Sequence, residues 1–163
     1  MSTKPKPNPV PAALAEALRS RKSQYCRFAD TQDFASWATV FSRNVTAQFC
    51  DPSGSVVTEN GATYSFSNRD ELVGFFSEAF ATQQTIHVVG SGELAFVEGT
   101  DEQEISAIWP VIYHAASLGV SGGWSGTGGG HYYETWGVED GEWVIRKLKF
   151  VRGYWRVQSF DEA

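Results

Sequence analysis

Between Ile105 and Phe150 the chain repeats apolar and aromatic residues in runs of strand length. This stretch constrains the fold more than any other. Val138 to Trp143 places Asp140-Gly141 between two apolar arms, the signature of a tight hairpin. Long antiparallel strands are therefore expected here. The N-terminal half follows a helical period instead. Helical segments combined with a curled sheet make an α+β arrangement, with the helices covering one face of the sheet. A pocket can lie between the two layers, so function is sought in the residues able to line it.

From Pro11 the pattern turns helical, with Leu14, Leu18, Tyr25, Phe28 and Ala29 recurring through one long helix or two short ones that end near Asp30. A second helix begins after a cap at Thr31 or Asp33 and carries Phe34, Trp37, Val40 and Phe41 on one face. Asn44 to Cys50 alternates like a short strand, Asp51 opens a turn, and Val56 to Thr58 suits another strand. Ser67 or Asn68 caps a third helix, whose face is Leu72, Phe75, Phe76, Ala79 and Phe80. Thr85–Gly90 and Gly92–Val97 read as strands. The glycines of 116–130 are too dense for regular pairing and predict an open loop between two strands. The expected layout is a disordered lead-in over 1–11, a single domain over 12–158 and a tail over 159–163.

A net charge of -6 without a basic stripe argues against nucleic-acid binding. The basic residues between Arg146 and Arg152 fall at strand spacing and read as a solvated face. No apolar run approaches the roughly 20 residues of a membrane-spanning helix. The proline-rich start lacks a signal core, so a cytoplasmic protein is expected, with Cys26 and Cys50 as buried free thiols. The 23 aromatic residues suffice both to fill a core and to wall a ligand cavity. No phosphate loop, dinucleotide fingerprint or nucleophile elbow is present, and His87, His114 and His131 lack metal-ligand spacing. Neither a cofactor nor a metal is expected.

Two residues stand out. Asp30 ends a helix in apolar company and, alone, reads as a cap for the next helix. His87 lies between Ile86 and Val88 and, alone, reads as a structural histidine. Brought together, the carboxylate would fix the imidazole tautomer and create a general acid or base.

Tyr25 through Trp37, with an aspartate just before a short aromatic helix, resembles the opening of SnoaL-like proteins and of scytalone dehydratase. Glu71-Leu-Val-Gly-Phe, Thr85-Ile-His-Val-Val-Gly90 and the segment from Trp136 through Trp143 to Leu148 resemble their third helix, histidine-bearing strand and closing hairpin. The similarity spans roughly 14–155. It implies the cone-shaped α+β barrel of the nuclear-transport-factor-two-like superfamily. There a strongly bent, mostly antiparallel sheet and three N-terminal helices enclose a deep pocket. It also implies an acid-base pair at Asp30 and His87 and a homodimer or higher homo-oligomer. Departures accompany it. Ala29 and Phe49 stand where the dehydratase has tyrosines, Trp109 where it has a second histidine, and Gly130 and Tyr132 where it has polar residues. Dehydration of the same substrate is thus not expected. Strand parity puts Trp109, Val111 and Tyr113 on one face and Gly130, Tyr132 and Glu134 on another. These, with Phe49, Leu148 and Phe150, are expected to wall the pocket, while Tyr25, Tyr113, Tyr132 or His131 hold a carbonyl or hydroxyl.

The leading expectation is a cofactor-independent dehydratase, isomerase or cyclase acting on a small hydrophobic metabolite of polyketide or terpenoid type. A pocket that only folds a reactive substrate into a cyclising geometry is one alternative. A non-catalytic ligand-binding or dimerising module is the other, because fold does not dictate function.

Overall fold

The computed structural model describes residues 9–119 and 122–160. Helix α1 (Ala12–Asp30) is one continuous helix of 19 residues that starts directly after Pro11. Its buried face runs Ala15, Leu18, Lys22, Tyr25, Cys26 and Ala29, the three- and four-residue steps of a helical stripe. Helix α2 (Phe34–Ala38) is capped by Asp33, whose side chain accepts from the Ser36 amide at 3.1 Å. Helix α3 (Arg69–Phe80) is capped by Asn68, and Glu71 reaches back to the Ser67 amide in a capping-box arrangement.

The strands are β1 (Phe41–Cys50), β2 (Thr58–Glu59), β3 (Ala62–Thr63), β4 (Ser65–Phe66), β5 (Gln83–Val89), β6 (Glu93–Phe96), β7 (Glu104–Ser117), β8 (Gly123–Glu139) and β9 (Glu142–Phe160). Strands β2 and β3 form a small separate hairpin. The main sheet is ordered β4-β1-β9-β8-β7-β5, with β6 pairing the first half of β7. All pairings are antiparallel except β1 with β9. Asp140 and Gly141 take φ of 53° and 85° in the β8–β9 turn, the left-handed geometry that Asp-Gly supplies.

Two bulges bend the long β8–β9 ribbon. Gly129 and Gly130 face Tyr154 and Arg152, leaving Gly153 extra, and Thr135 and Trp136 face Lys147 and Ile145, leaving Arg146 extra. The resulting curved sheet carries the helices on its concave side, where Trp37, Phe41, Val45, Leu72, Trp109, Trp136 and Ile145 build the core.

Three expectations are corrected. The glycine-rich segment is not an open loop, because β8 pairs from Gly123 onward with both β7 and β9. Strand β9 runs through Ser159 and Phe160, residues assigned above to a tail. Pro9 bridges Ala95 and Val10 packs against the core, so the chain is engaged before residue 12. The rest of the proposed lead-in, 1–8, and of the tail, 161–163, lies outside the described residues.

Candidate active site

Asp30 is the last residue of α1, where the negative end of the helix dipole disfavours a carboxylate. What holds it there comes from β5. Asp30 Oδ1 accepts from the Thr85 hydroxyl at 2.8 Å, and Oδ2 accepts from the His87 amide at 2.9 Å. Oδ1 also lies 2.6 Å from His87 Nδ1. The α1–α2 corner is fastened to the α3–β5 junction by Gln32, whose side-chain amide donates to the carbonyls of Phe80 and Gln83. Asp30 therefore clamps a strand, and the cap of α2 is Asp33.

Strand β5 turns Thr85, His87 and Val89 inward and leaves Ile86 and Val88 54% and 62% exposed. At the centre of the strand the polar Thr85 and His87 face in and the apolar Ile86 and Val88 face out, the reverse of an ordinary half-buried strand. With Nδ1 committed to Asp30, Nε2 is the ring nitrogen left to meet a ligand. The His87 ring lies in the wall of a cavity of about 220 Å³, stacked beside Phe80 and tilted against Tyr113.

The cavity is framed mainly by aromatic rings. Phe49, Phe76 and Phe80 approach from β1 and α3, and Tyr113, Tyr132, Phe150 and Trp155 from the sheet. Phe49 and Phe76 are 4.9 Å apart and Tyr132 and Phe150 5.0 Å apart, measured between ring centres. Burial raises the Tyr113 phenol, against the neighbouring Arg152 guanidinium, which lowers it. Burial, reinforced by Glu134, pushes Tyr25 well above its ordinary value, and burial with Tyr25 beside it does the same to Tyr132. The two rings pack edge to face, 5.7 Å apart between centres.

Several expected wall residues lie elsewhere. Trp109 is 1% exposed and outside the cavity; its indole N–H donates to Glu134 at 2.8 Å. Tyr25 is packed behind Tyr132, and Leu148 and Val111 are buried beyond the cavity lining. The reason is that Lys22 enters this end of the barrel. Its Nζ lies 2.5 Å from Glu134 Oε1 and 3.8 and 3.6 Å from the ring centres of Tyr25 and Tyr132. Trp136 donates a further hydrogen bond to Glu134. Together these groups fill the space that would have continued the pocket. His131 is on the opposite, outer face of β8, exposed beside Tyr133, and cannot reach the cavity. Its parity with Tyr133, and not with Tyr132, carries that signal.

Other residues were missed. Arg152 shares the inward parity of Leu148 and Phe150, yet its charge placed it with the solvated residues; it lines the cavity. Trp155 does so only because the Gly153 bulge reverses parity after Arg152. Lys22 stands within the apolar stripe of α1, a visible sign of a buried charge.

A model of the SnoaL-like domain matches residues 12–149. The chain belongs to the SnoaL-like family. A relative named "Probable cyclase FGR4" from Gibberella zeae is 39% identical over 150 residues, covering 92% of this chain and 98% of its own. Among solved structures, a scytalone dehydratase-like protein from Novosphingobium aromaticivorans superposes with TM-score 0.71 at 14% identity, covering 92% of this chain and 93% of its own. A type 2 hexachlorocyclohexane dehydrochlorinase superposes with TM-score 0.70 at 14% identity, covering 93% of each chain. At such identities these structures establish the fold alone. The SnoaL-like assignment accounts for the bent sheet and for the helices on its concave side.

Proposed function

We propose that this SnoaL-like protein is a cofactor-independent acid-base enzyme, a dehydratase, isomerase or cyclase, acting on a small hydrophobic metabolite of polyketide or terpenoid type. The observation that carries this reading is the 2.6 Å contact between His87 Nδ1 and Asp30, with the other edge of the ring in an aromatic cavity. The relative named as a cyclase supports the reaction class.

In this reading Nδ1–H donates to Asp30, which fixes the tautomer and leaves Nε2 basic. Nε2 takes a proton from an acidic C–H or O–H of the substrate, and Asp30 stabilises the imidazolium. The same proton then returns to another substrate atom, a departing hydroxyl or a carbon of the new skeleton. No proton or electron is gained or lost overall. Tyr113 and Tyr132, both held neutral, can donate to a substrate oxygen. General acid-base catalysis of this kind contributes about 10²–10⁴-fold. Asp30→Asn and His87→Gln are each expected to lower turnover by about that factor while leaving the fold intact. Full activity in either variant would sink the reading.

The continuous aromatic wall favours one other reading, catalysis by shape, where orientation supplies roughly 7–11 kcal/mol. In that case Phe49→Ala would reduce turnover more than His87→Gln does.

A further inference from the structure

Among the described residues Arg152 is the one Lys or Arg side chain in the cavity lining, and it is only partly used. Its Nη1 is 3.4 Å from Glu59 Oε1, a long contact to a half-exposed residue of the small β2–β3 hairpin. Its Nε is buried and has no hydrogen-bond acceptor among the described residues. A carboxylate grips a guanidinium side-on through Nε and Nη2, and Nη1 is not part of that edge. A buried donor without an acceptor costs about 1–3 kcal/mol, so the position calls for a partner.

The surroundings hold the guanidinium in place. The Trp155 ring lies 6.0 Å from it. Tyr113 stacks on Trp155 and is tilted against His87, so its ring neighbours both the histidine and the tryptophan beside the arginine. Arg152 is close enough to favour the Tyr113 phenolate against the larger effect of burial. Around this polar spot the walls are Phe150, Trp155 and Tyr64.

We propose that Arg152 recognises a carboxylate carried by an otherwise apolar substrate, and orients that substrate across Tyr113 toward His87. The inference rests on the cavity being the substrate site, and it names the substrate class: a hydrophobic acid. Glu59 stays on Nη1, outside the edge that the ligand carboxylate takes.

The test is binding of naphthoate against its uncharged isostere naphthamide, followed by calorimetry and by tryptophan fluorescence. Wild type is expected to bind naphthoate about tenfold or more tighter than naphthamide, the value of a charge-assisted pair. Arg152→Gln should remove that preference and leave naphthamide binding unchanged. Glu59→Gln, at a half-exposed position that folding tolerates, should tighten naphthoate binding by removing a negative charge from beside the guanidinium. Three results would each overturn the proposal: no naphthoate binding at millimolar concentration, equal affinity for acid and amide, or an equal loss of both in Arg152→Gln. His87→Gln separates the two readings. It should bind naphthoate normally while losing turnover. Retained turnover there would discard the acid-base reading and leave the carboxylate site standing.

Discussion

Asp30 and Lys22 lie on the same helix, and each is placed against its local preference. Asp30 meets an unfavourable dipole and is repaid by three bonds from β5. Thr85→Val removes one of these and should cost about 1 kcal/mol of stability, read from urea unfolding, with a modest loss of turnover. Lys22 is fully buried against Glu134. Lys22→Met alone leaves a buried carboxylate without its counter-charge and should destabilise by about 3–5 kcal/mol. The double variant Lys22→Met/Glu134→Gln should recover much of that, since no unpaired charge remains and the amide oxygen can still accept from the Trp109 and Trp136 indoles. A double variant no more stable than the single one would contradict this. Burial also pushes the Cys26 thiol from 9.0 up to about 11. The unfolded thiol ionises near its ordinary value, so its contribution is complete below pH 9 and is lost as the pH rises toward 11. That difference amounts to about 3 kcal/mol. Urea midpoints should therefore fall between those pH values, and fall less steeply in Cys26→Ala.

At the scale of the element, β8 shows why glycines can build a strand. A Cβ on Gly128 would stand 2.5 Å from the Tyr113 phenol, and one on Gly126 would stand 2.4 Å from Trp155. The bare backbone lets both rings lie flat across the strand, and lets Tyr113 reach from β7 toward β9. Gly130 differs, since its Cβ would meet the Val151 carbonyl oxygen at 2.1 Å. Gly128→Ala should thus displace a side chain, impairing ligand binding with little change in thermal midpoint. Gly130→Ala should move backbone and destabilise by about 1–3 kcal/mol. The expectation of an open loop failed because glycine was judged by propensity alone. The pairing energy of β8 comes from two long neighbours and from rings that those strands contribute.

Across the whole molecule the inverted polarity of β5 has an outer counterpart. Val88, Ile112 and Tyr154 are exposed and adjacent through the β5, β7, β8 and β9 register, with Gly129 between them. Exposed apolar surface of this kind marks an interaction face. In the homo-oligomer that the family resemblance implies, a second copy of the chain would cover it. Sedimentation should then show a dimer, and Val88→Lys should shift it to monomer. A wild-type monomer at micromolar concentration would refute this.

Periodicity and turn chemistry are local properties, and they suffice here for α1 and α3, for the start of α2, whose expected face overran its end at Ala38 into β1 at Phe41, for the Asp140-Gly141 hairpin and for the alternation of β7. The family resemblance brought Asp30 and His87 to attention as a pair, since neither is informative alone. Three things were decided only by tertiary structure. The parallel pairing of β1 with β9 joins distant segments whose patterns carry no partner code. The extent of the cavity depends on Lys22 and Glu134 plugging one end. The inward aim of Trp155 depends on a one-residue bulge at Gly153. The first unites segments far apart in the chain, the second depends on which side chains claim a shared volume, and the third turns on a single change of register. Composition and spacing encode none of these directly, because each is a property of neighbours in space.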